Sequence, residues 1–170
     1  MLVKTQLSTL IITILAVLAP NLSSAEDANF TTFRVLKPEL ALQAAQGAMI
    51  ECRKRGYQVA VSIVDRFGVM QVTLRDQFAG PHTTGTAYRK AWTAVSFRTE
   101  TADLAKTTEG GEAWAIRAID KALPLGGGVR ILAGDGDMLG AIGVSGAPSG
   151  SEDDACANAG IVSISEKIEF

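Results

Sequence analysis

The chain has 170 residues, of which 47% are hydrophobic and 20% are charged, and its formal net charge at pH 7 is −2. This length and hydrophobic content suit one domain with its own core. The small net charge, together with the lack of any basic cluster interleaved with aromatic residues, argues against a nucleic-acid partner.

The first part of the chain is predicted to be a signal peptide. Lys4 precedes an uncharged apolar run at residues 7–18, and small residues follow up to Ala25. Such a run is too short to span a bilayer and is typical of a secretory signal peptide, cleaved here after residues 1–25. No second long apolar segment follows. We therefore expect a single domain over residues 26–170, periplasmic or secreted and not an integral membrane protein.

The next segments predict a helix and a hairpin. Residues 33–36 either form a short edge strand or lead into a helix that begins near Pro38 and ends at Gly56. Its predicted apolar face consists of Leu42, Ala45, Met49 and Cys52. Tyr57–Asp65 and Val69–Leu74 then alternate as the two arms of a hairpin. Both faces of the first arm are apolar in part, so helices or another subunit should cover each side.

A second predicted helix runs from His82 to about Phe97. The small residues that form its core-facing stripe are Ala87, Ala91, Ala94 and Val95. Tyr88 and Trp92, four residues apart, line an adjacent face. Residues 101–106 predict one or two further helical turns, and residues 112–123 predict another helix.

A second hairpin is predicted at Val129–Ala133 and Met138–Val144, around a turn of two Gly-Asp pairs. Its second arm has glycine at positions 140, 143 and 146, so either a helix or a ligand should pack closely on that backbone. A cap at Ser151 then predicts a terminal helix over residues 152–166.

The two cysteines lie on the first and last of these helices. Cys52 and Cys156 are each predicted on a helix face. In an oxidising compartment they could form a disulfide, and two buried free thiols are the alternative.

Most catalytic patterns are missing from the sequence. A single histidine excludes a multi-histidine metal site within one subunit, and no paired-cysteine zinc pattern occurs. No nucleophile elbow or phosphate-binding glycine loop occurs either. Hydrolase and kinase chemistry are therefore disfavoured.

His82 is the most distinctive residue of the chain. It follows Gly-Pro at a helix N-terminus, where the helix dipole favours the neutral imidazole that binds metals. It is a candidate haem or metal ligand, and a helix cap is the alternative. Phe78, Tyr88 and Trp92 would supply flat apolar surface to a porphyrin, or are core aromatics. The cations available to pair with propionates, or simply solvated, are Arg75, Arg89 and Lys90.

Several stretches, taken in order, carry a family resemblance. They are residues 64–68, Arg75-Asp76 with Ala79-Gly80-Pro81, Arg89–Ala94, Gly127–Ile131, Gly140–Gly146 and Asp153–Gly160. Together they resemble a GlcG/HbpS-type haem-binding domain, a family that also includes the C-terminal part of PduO-type proteins. The likeness extends from about Pro38 to Ile164.

The resemblance implies a profilin-like α+β fold, an antiparallel sheet of about five strands flanked by helices. Its terminal helices would pack together and bring Cys52 near Cys156, which favours a disulfide. It also implies homo-oligomers, often octamers, and binding of haem or iron, with haem degradation in some members. Family ligand contacts include positions near His82.

Three hypotheses for function follow. The first is an exported protein that sequesters or carries haem or iron, with His82 as the iron ligand and haem degradation as a further activity. The second is an enzyme that acts on a small organic acid, with His82 or Asp65 as acid or base. The third is a ligand-sensing module for a membrane partner.

Overall fold

The computed structural model describes residues 29–169, and the predicted signal peptide at residues 1–25 lies outside them. Residues 33–169 fold around one sheet. Among the described residues, no helix combines the length and apolar character needed to cross a membrane.

Residues 29–169 form four strands and four α-helices. The strands are β1 Ala60–Asp65, β2 Met70–Arg75, β3 Gly128–Leu132 and β4 Met138–Ser145. The α-helices are α1 Pro38–Lys54, α2 Thr83–Phe97, α3 Thr101–Thr107 and α4 Gly150–Val162. Two 3₁₀ segments are Glu112–Ala118 and Ser165–Lys167.

Both predicted hairpins are confirmed and lie side by side in one antiparallel sheet of order β2-β1-β4-β3. The two central strands, β1 and β4, pair from Ala60 opposite Ser145 to Asp65 opposite Gly140. Because β1 has neighbours on both edges and helices on both faces, nearly all of it is buried.

Helices α1 and α4 pack together on one face of the sheet, as the resemblance implied. The main core lies between them and the side chains of Val61, Ile63 and Ile142. Cys52 of α1 and Cys156 of α4 are joined by a disulfide, with their Cα atoms 5.4 Å apart. The disulfide is therefore a feature of this core, and the alternative of two free thiols is wrong.

Helix α2 covers the opposite face of the sheet through its stripe of small residues. A second cluster contains Ala91 and Ala94 of α2 with Val64 and Ala141 of the sheet. At Gly143 the approach is so close that a Cβ atom would collide with the main-chain oxygen of Ala87. The glycine pattern of β4 therefore reflects close helix packing at this position.

The prediction of about five strands differs from the structure, which has four strands in the described residues. Residues 33–36 contain no strand and lead into α1. The side-chain amide of Gln71 donates to the Leu36 carbonyl at 2.7 Å. This backbone acceptor is therefore satisfied by a side chain and not by the backbone of a neighbouring strand. Pro38, which lacks an N–H, then begins the helix.

The predicted helix at residues 112–123 is wrong in type and length. The segment is a 3₁₀ helix that ends at Ala118, and none of its residues is buried. Trp114 is 56% exposed and Ile119 is 47% exposed. A long α-helix is stabilised mainly by burial of an apolar face, and this segment buries none within the described chain.

Two helix details also differ from the predictions. Of the predicted apolar face of α1, Ala45, Met49 and Cys52 are buried and Leu42 is exposed. The buried stripe also includes small residues that permit close packing on α4, namely Ala41, Ala44 and Ala48. The cap of α4 is Ser149, whose Oγ accepts a hydrogen bond from the N–H of Glu152 at 3.3 Å. Ser151 lies inside the first turn, and α4 ends at Val162, before the predicted end.

Candidate functional site

His82 immediately precedes α2, and its ring lies over the backbone of Gly80. A Cβ atom at Gly80 would be 2.7 Å from Cε1 and 2.9 Å from Nδ1 of the imidazole, and 3.8 Å from Nε2. The side chain makes no capping hydrogen bond and has no hydrogen-bond partner within residues 29–169. The alternative of a capping histidine is therefore not what the structure shows.

The imidazole lies at the edge of a cavity of about 570 Å³, a size typical of small-molecule sites. One wall is the start of α2, and the other is the loop between β4 and α4. The polar lining side chains are His82, Thr83, Thr86, Arg89, Lys90, Ser145, Ser149 and Asp153, and the apolar ones are Leu123, Leu125, Ala147 and Pro148. The cavity thus combines a metal-binding nitrogen with both polar and apolar surface.

A buried ion pair lies within this lining. Nζ of Lys90 is 2.7 Å from Oδ2 of Asp153, and it also donates to the carbonyl of Val144 at 2.9 Å. The other carboxylate oxygen of Asp153 accepts from the N–H of Ala147 at 3.1 Å. Burial raises the pKa of Asp153, and the ammonium of Lys90 opposes that rise. The pair connects α2 to α4 and so holds the two walls of the cavity together.

One half of this pair has a signal in the sequence. Lys90 lies three residues after Ala87 and four before Ala94, which places a lysine on the small-residue stripe of α2. A lysine is seldom fully buried without a partner. Its partner, Asp153, lies in the acidic first turn of α4, a position that by itself indicates only an interaction with the helix dipole.

Arg89 is the second predicted site residue that lines the cavity. Its Nε donates to the carbonyl of Lys121 at 3.3 Å, and its Nη2 donates to the carbonyl of Ala122 at 3.0 Å. These bonds attach the segment after the 3₁₀ helix to α2. Arg89 therefore brings positive charge to the cavity and also positions its wall.

The three predicted aromatic contacts do not line this cavity. Tyr88 and Trp92 lie near the β1–β2 turn, where the hydroxyl of Tyr88 is 3.4 Å from the Gly68 carbonyl and the Trp92 indole packs against Gly68. Phe78 lies in the loop after β2 and is 78% exposed. Within one subunit, the structure therefore brings together only His82 and Arg89 of the five predicted haem contacts.

Asp65, the alternative acid or base, is engaged in the first hairpin turn. One carboxylate oxygen accepts hydrogen bonds from the N–H groups of Phe67 and Val69, both at 2.9 Å. Asp65 is not among the residues that line the cavity. Its side chain stabilises the turn and is not placed to act on a ligand beside His82.

The fold is shared with several solved structures. A double mutant of HbpS from Streptomyces reticuli is 40% identical, with a TM-score of 0.75, over 82% of this chain and 93% of that one. A structure described as a PduOC:heme complex is 29% identical, with a TM-score of 0.70, over 76% of this chain and 95% of that one.

A third structure, protein ORFY from Klebsiella pneumoniae, has a TM-score of 0.77 over 81% of this chain and 95% of that one. At 21% identity, its likeness shows the fold alone. No curated protein is similar enough to be matched. The family model described as "Haem degrading protein HbpS-like" matches residues 36–162. The chain therefore belongs to the HbpS-like family.

Proposed function

We propose that this protein is exported and binds haem, which it sequesters or carries, with His82 as the iron ligand. The observation that carries the proposal is the unpartnered imidazole of His82 at the edge of a cavity of about 570 Å³. Membership of the HbpS-like family and similarity to a structure described as a haem complex support it.

The donor set near His82 fits haem better than a free metal ion. Within residues 29–169, no three His, Cys, Asp or Glu side chains converge to hold an ion. A haem iron already has four porphyrin nitrogens and takes as little as one axial ligand from the protein. Leu123, Leu125 and Pro148 offer apolar contact, and Arg89 offers a cation for a propionate. When bound, haem would supply redox chemistry at its iron, and haem degradation is part of the proposal.

Export and oligomerisation are further parts of this proposal. The apolar run at residues 7–18 and the Cys52–Cys156 disulfide both support export to an oxidising compartment. The exposed side chains of Trp114, Ile119 and Leu125 support contact with another copy of the chain. The sheet order β2-β1-β4-β3, with helices on both faces, supports a profilin-like fold.

A haem titration of His82→Ala tests the assignment of the iron ligand. Loss of an axial imidazole should abolish the Soret shift that the native protein produces. Ser96→Ala is the matched control, because Ser96 is an exposed residue near the other end of the same helix. An unchanged spectrum in His82→Ala would remove His82 from the site, and no binding by the native protein would contradict the function itself.

The polar lining of the cavity supports a second candidate, an enzyme acting on a small organic acid. Arg89 could pair with a carboxylate, and His82 could transfer a proton, while Asp65 is excluded because it stabilises a turn. Turnover of a small acid that is lost in His82→Ala, in a protein that binds no haem, would favour this candidate over the first.

A further inference from the structure

A second, smaller cavity lies near the C-terminus of α2. Its volume is about 280 Å³, and its lining residues are Arg66, Arg98, Arg130, Leu132, Gly136, Asp137 and Met138. Helix α2 has 15 residues and so is about 22 Å long. Because His82 precedes the helix and Arg98 follows it, this arginine-lined cavity is separate from the one beside His82.

Two of its arginines are already positioned by carboxylates. Nη1 of Arg66 is 3.0 Å from Oδ1 of Asp137, and Nε of Arg130 is 3.0 Å from Oε1 of Glu100. Both arginine side chains are mostly buried, with 15% and 29% exposed. Such pairs fix the planes of the two guanidinium groups, and each group keeps further N–H donors for another acceptor.

Arg98 differs from its neighbours in having no such partner. Its guanidinium makes no hydrogen bond or ion pair with the described residues. Its carbonyl, by contrast, accepts from Arg130 at 2.9 Å, so the backbone is held in place. The residue has φ 52° and ψ 39°, the left-handed conformation in which glycine is favoured at a helix end. A strained backbone that presents an unpaired cation to a cavity indicates a role beyond folding.

We propose that this arginine-lined cavity binds a small organic monocarboxylate. The charge argues for one carboxylate, because Arg66 and Arg130 are each balanced by an acid and only Arg98 is left uncompensated. A planar guanidinium recognises a carboxylate by two parallel hydrogen bonds. Leu132 and Met138 in the lining favour a ligand with a short hydrocarbon part over an inorganic anion. This site is independent of haem binding at His82.

Isothermal titration with sodium butyrate, against a constant chloride background, tests the proposal in the full protein. We expect saturable binding of butyrate and none of butanamide, which has a similar shape without the charge. Arg98→Gln removes the charged hydrogen bonds and should weaken butyrate binding roughly ten-fold. The affinity of Arg98→Lys should fall between those of Arg98→Gln and the native protein. Lys54→Gln, which removes one positive charge from a 69% exposed side chain of α1, should bind butyrate like the native protein.

Three results would overturn this inference. They are equal binding of butyrate and butanamide, equal affinity in Arg98→Gln and the native protein, and tighter binding of inorganic phosphate than of butyrate. Butyrate binding that persists in His82→Ala would support a site separate from the imidazole.

Discussion

The ammonium of Lys90 and the carboxylate of Asp153 lie 2.7 Å apart and are almost completely buried. Their side chains join α2, which follows His82, to α4, which carries the disulfide. A buried ion pair is costly to desolvate. Removal of one partner destabilises a protein more than replacement of both partners by apolar residues. The pair therefore fixes the two walls of the His82 cavity relative to each other, while its net contribution to the stability of the fold is small.

Removal of Lys90 or Asp153 alone should destabilise the protein far more than replacement of both. We expect Lys90→Met alone to lower the free energy of unfolding by about 3–5 kcal/mol, because a buried carboxylate is left unpaired. The double variant Lys90→Met/Asp153→Leu should recover most of that loss. Urea unfolding of the native, single and double variants measures the difference. Equal losses in the single and double variants would contradict this account.

The stability of the single variant should also depend more strongly on pH than that of the native protein. Burial already raises the pKa of Asp153 above its ordinary value of 3.8, and removal of Lys90 takes away the attraction that opposes this rise. The folded carboxyl then holds its proton more tightly than the unfolded one, so stability falls as the pH rises through the raised pKa. Lys90→Met should therefore be least destabilised in acid, which unfolding curves across pH would show.

Gly80→Ala should displace the imidazole without disturbing the fold. A Cβ atom at position 80 would lie 2.7 Å from Cε1 of His82, so the ring must move. We expect a weaker or altered Soret shift, with a change of less than about 1 kcal/mol in the free energy of unfolding. Gly85→Ala is the control, because a Cβ atom there meets nothing within 4 Å. Identical haem spectra for the two variants would show that Gly80 does not position His82.

Loss of the disulfide should destabilise the protein without abolishing its fold. Cys52 and Cys156 are 104 residues apart, so their bond restricts a long loop of the unfolded chain. We expect Cys52→Ala/Cys156→Ala to lower the free energy of unfolding by about 2–5 kcal/mol. The buried alanines of α1 should still hold α4 in place. A reducing agent should lower the Tm of the native protein and leave that of the double variant unchanged.

The β3–β4 turn should contribute to stability above the acid range. The hydrogen bond from Arg66 lowers the pKa of Asp137, and the N–H of Asp137 lowers the pKa of Asp135. The stability from these groups is present above their ordinary value of 3.8 and is lost as the pH falls through their lower folded values. Asp137→Asn should therefore lose less stability on acidification than the native protein, as unfolding curves would measure.

The control for that experiment is Asp103→Asn, which removes a carboxylate that is 63% exposed and pairs with Lys106 on α3. Such a surface pair contributes little to stability. If Asp137→Asn loses as much stability on acidification as the native protein, the turn carboxylate is not responsible for that loss.

Arg98→Gly should stabilise the protein while it removes the proposed carboxylate site. Glycine adopts φ 52° without the steric cost that a side chain carries. Arg98→Ala also removes the guanidinium but keeps the left-handed strain, so Arg98→Gly should be more stable than Arg98→Ala by about 1 kcal/mol. Thermal unfolding compares the two directly. Equal Tm values would show that the backbone at position 98 is not strained.

Local elements could be predicted from the sequence wherever the spacing of hydrophobic residues and the turn residues agreed. The two hairpins, the start of α1 at Pro38 and the stripe of α2 all follow from spacing within a few residues. His82 was also identifiable, since it is the one histidine and precedes a helix. These features depend on neighbours along the chain, which a sequence displays directly.

Which side chains contact one another depends on packing between elements that are distant in the sequence. Lys90 and Asp153 are 63 residues apart, and Tyr88, a near neighbour of Arg89 in sequence, lies outside the His82 cavity. The 3₁₀ segment at Glu112–Ala118 likewise depends on what it can bury, which local propensity does not reveal. Contacts of this kind form when helices pack on opposite faces of a sheet. Local periodicity indicates that a helix has an apolar face, but tertiary packing decides which neighbours each side chain of the helix contacts.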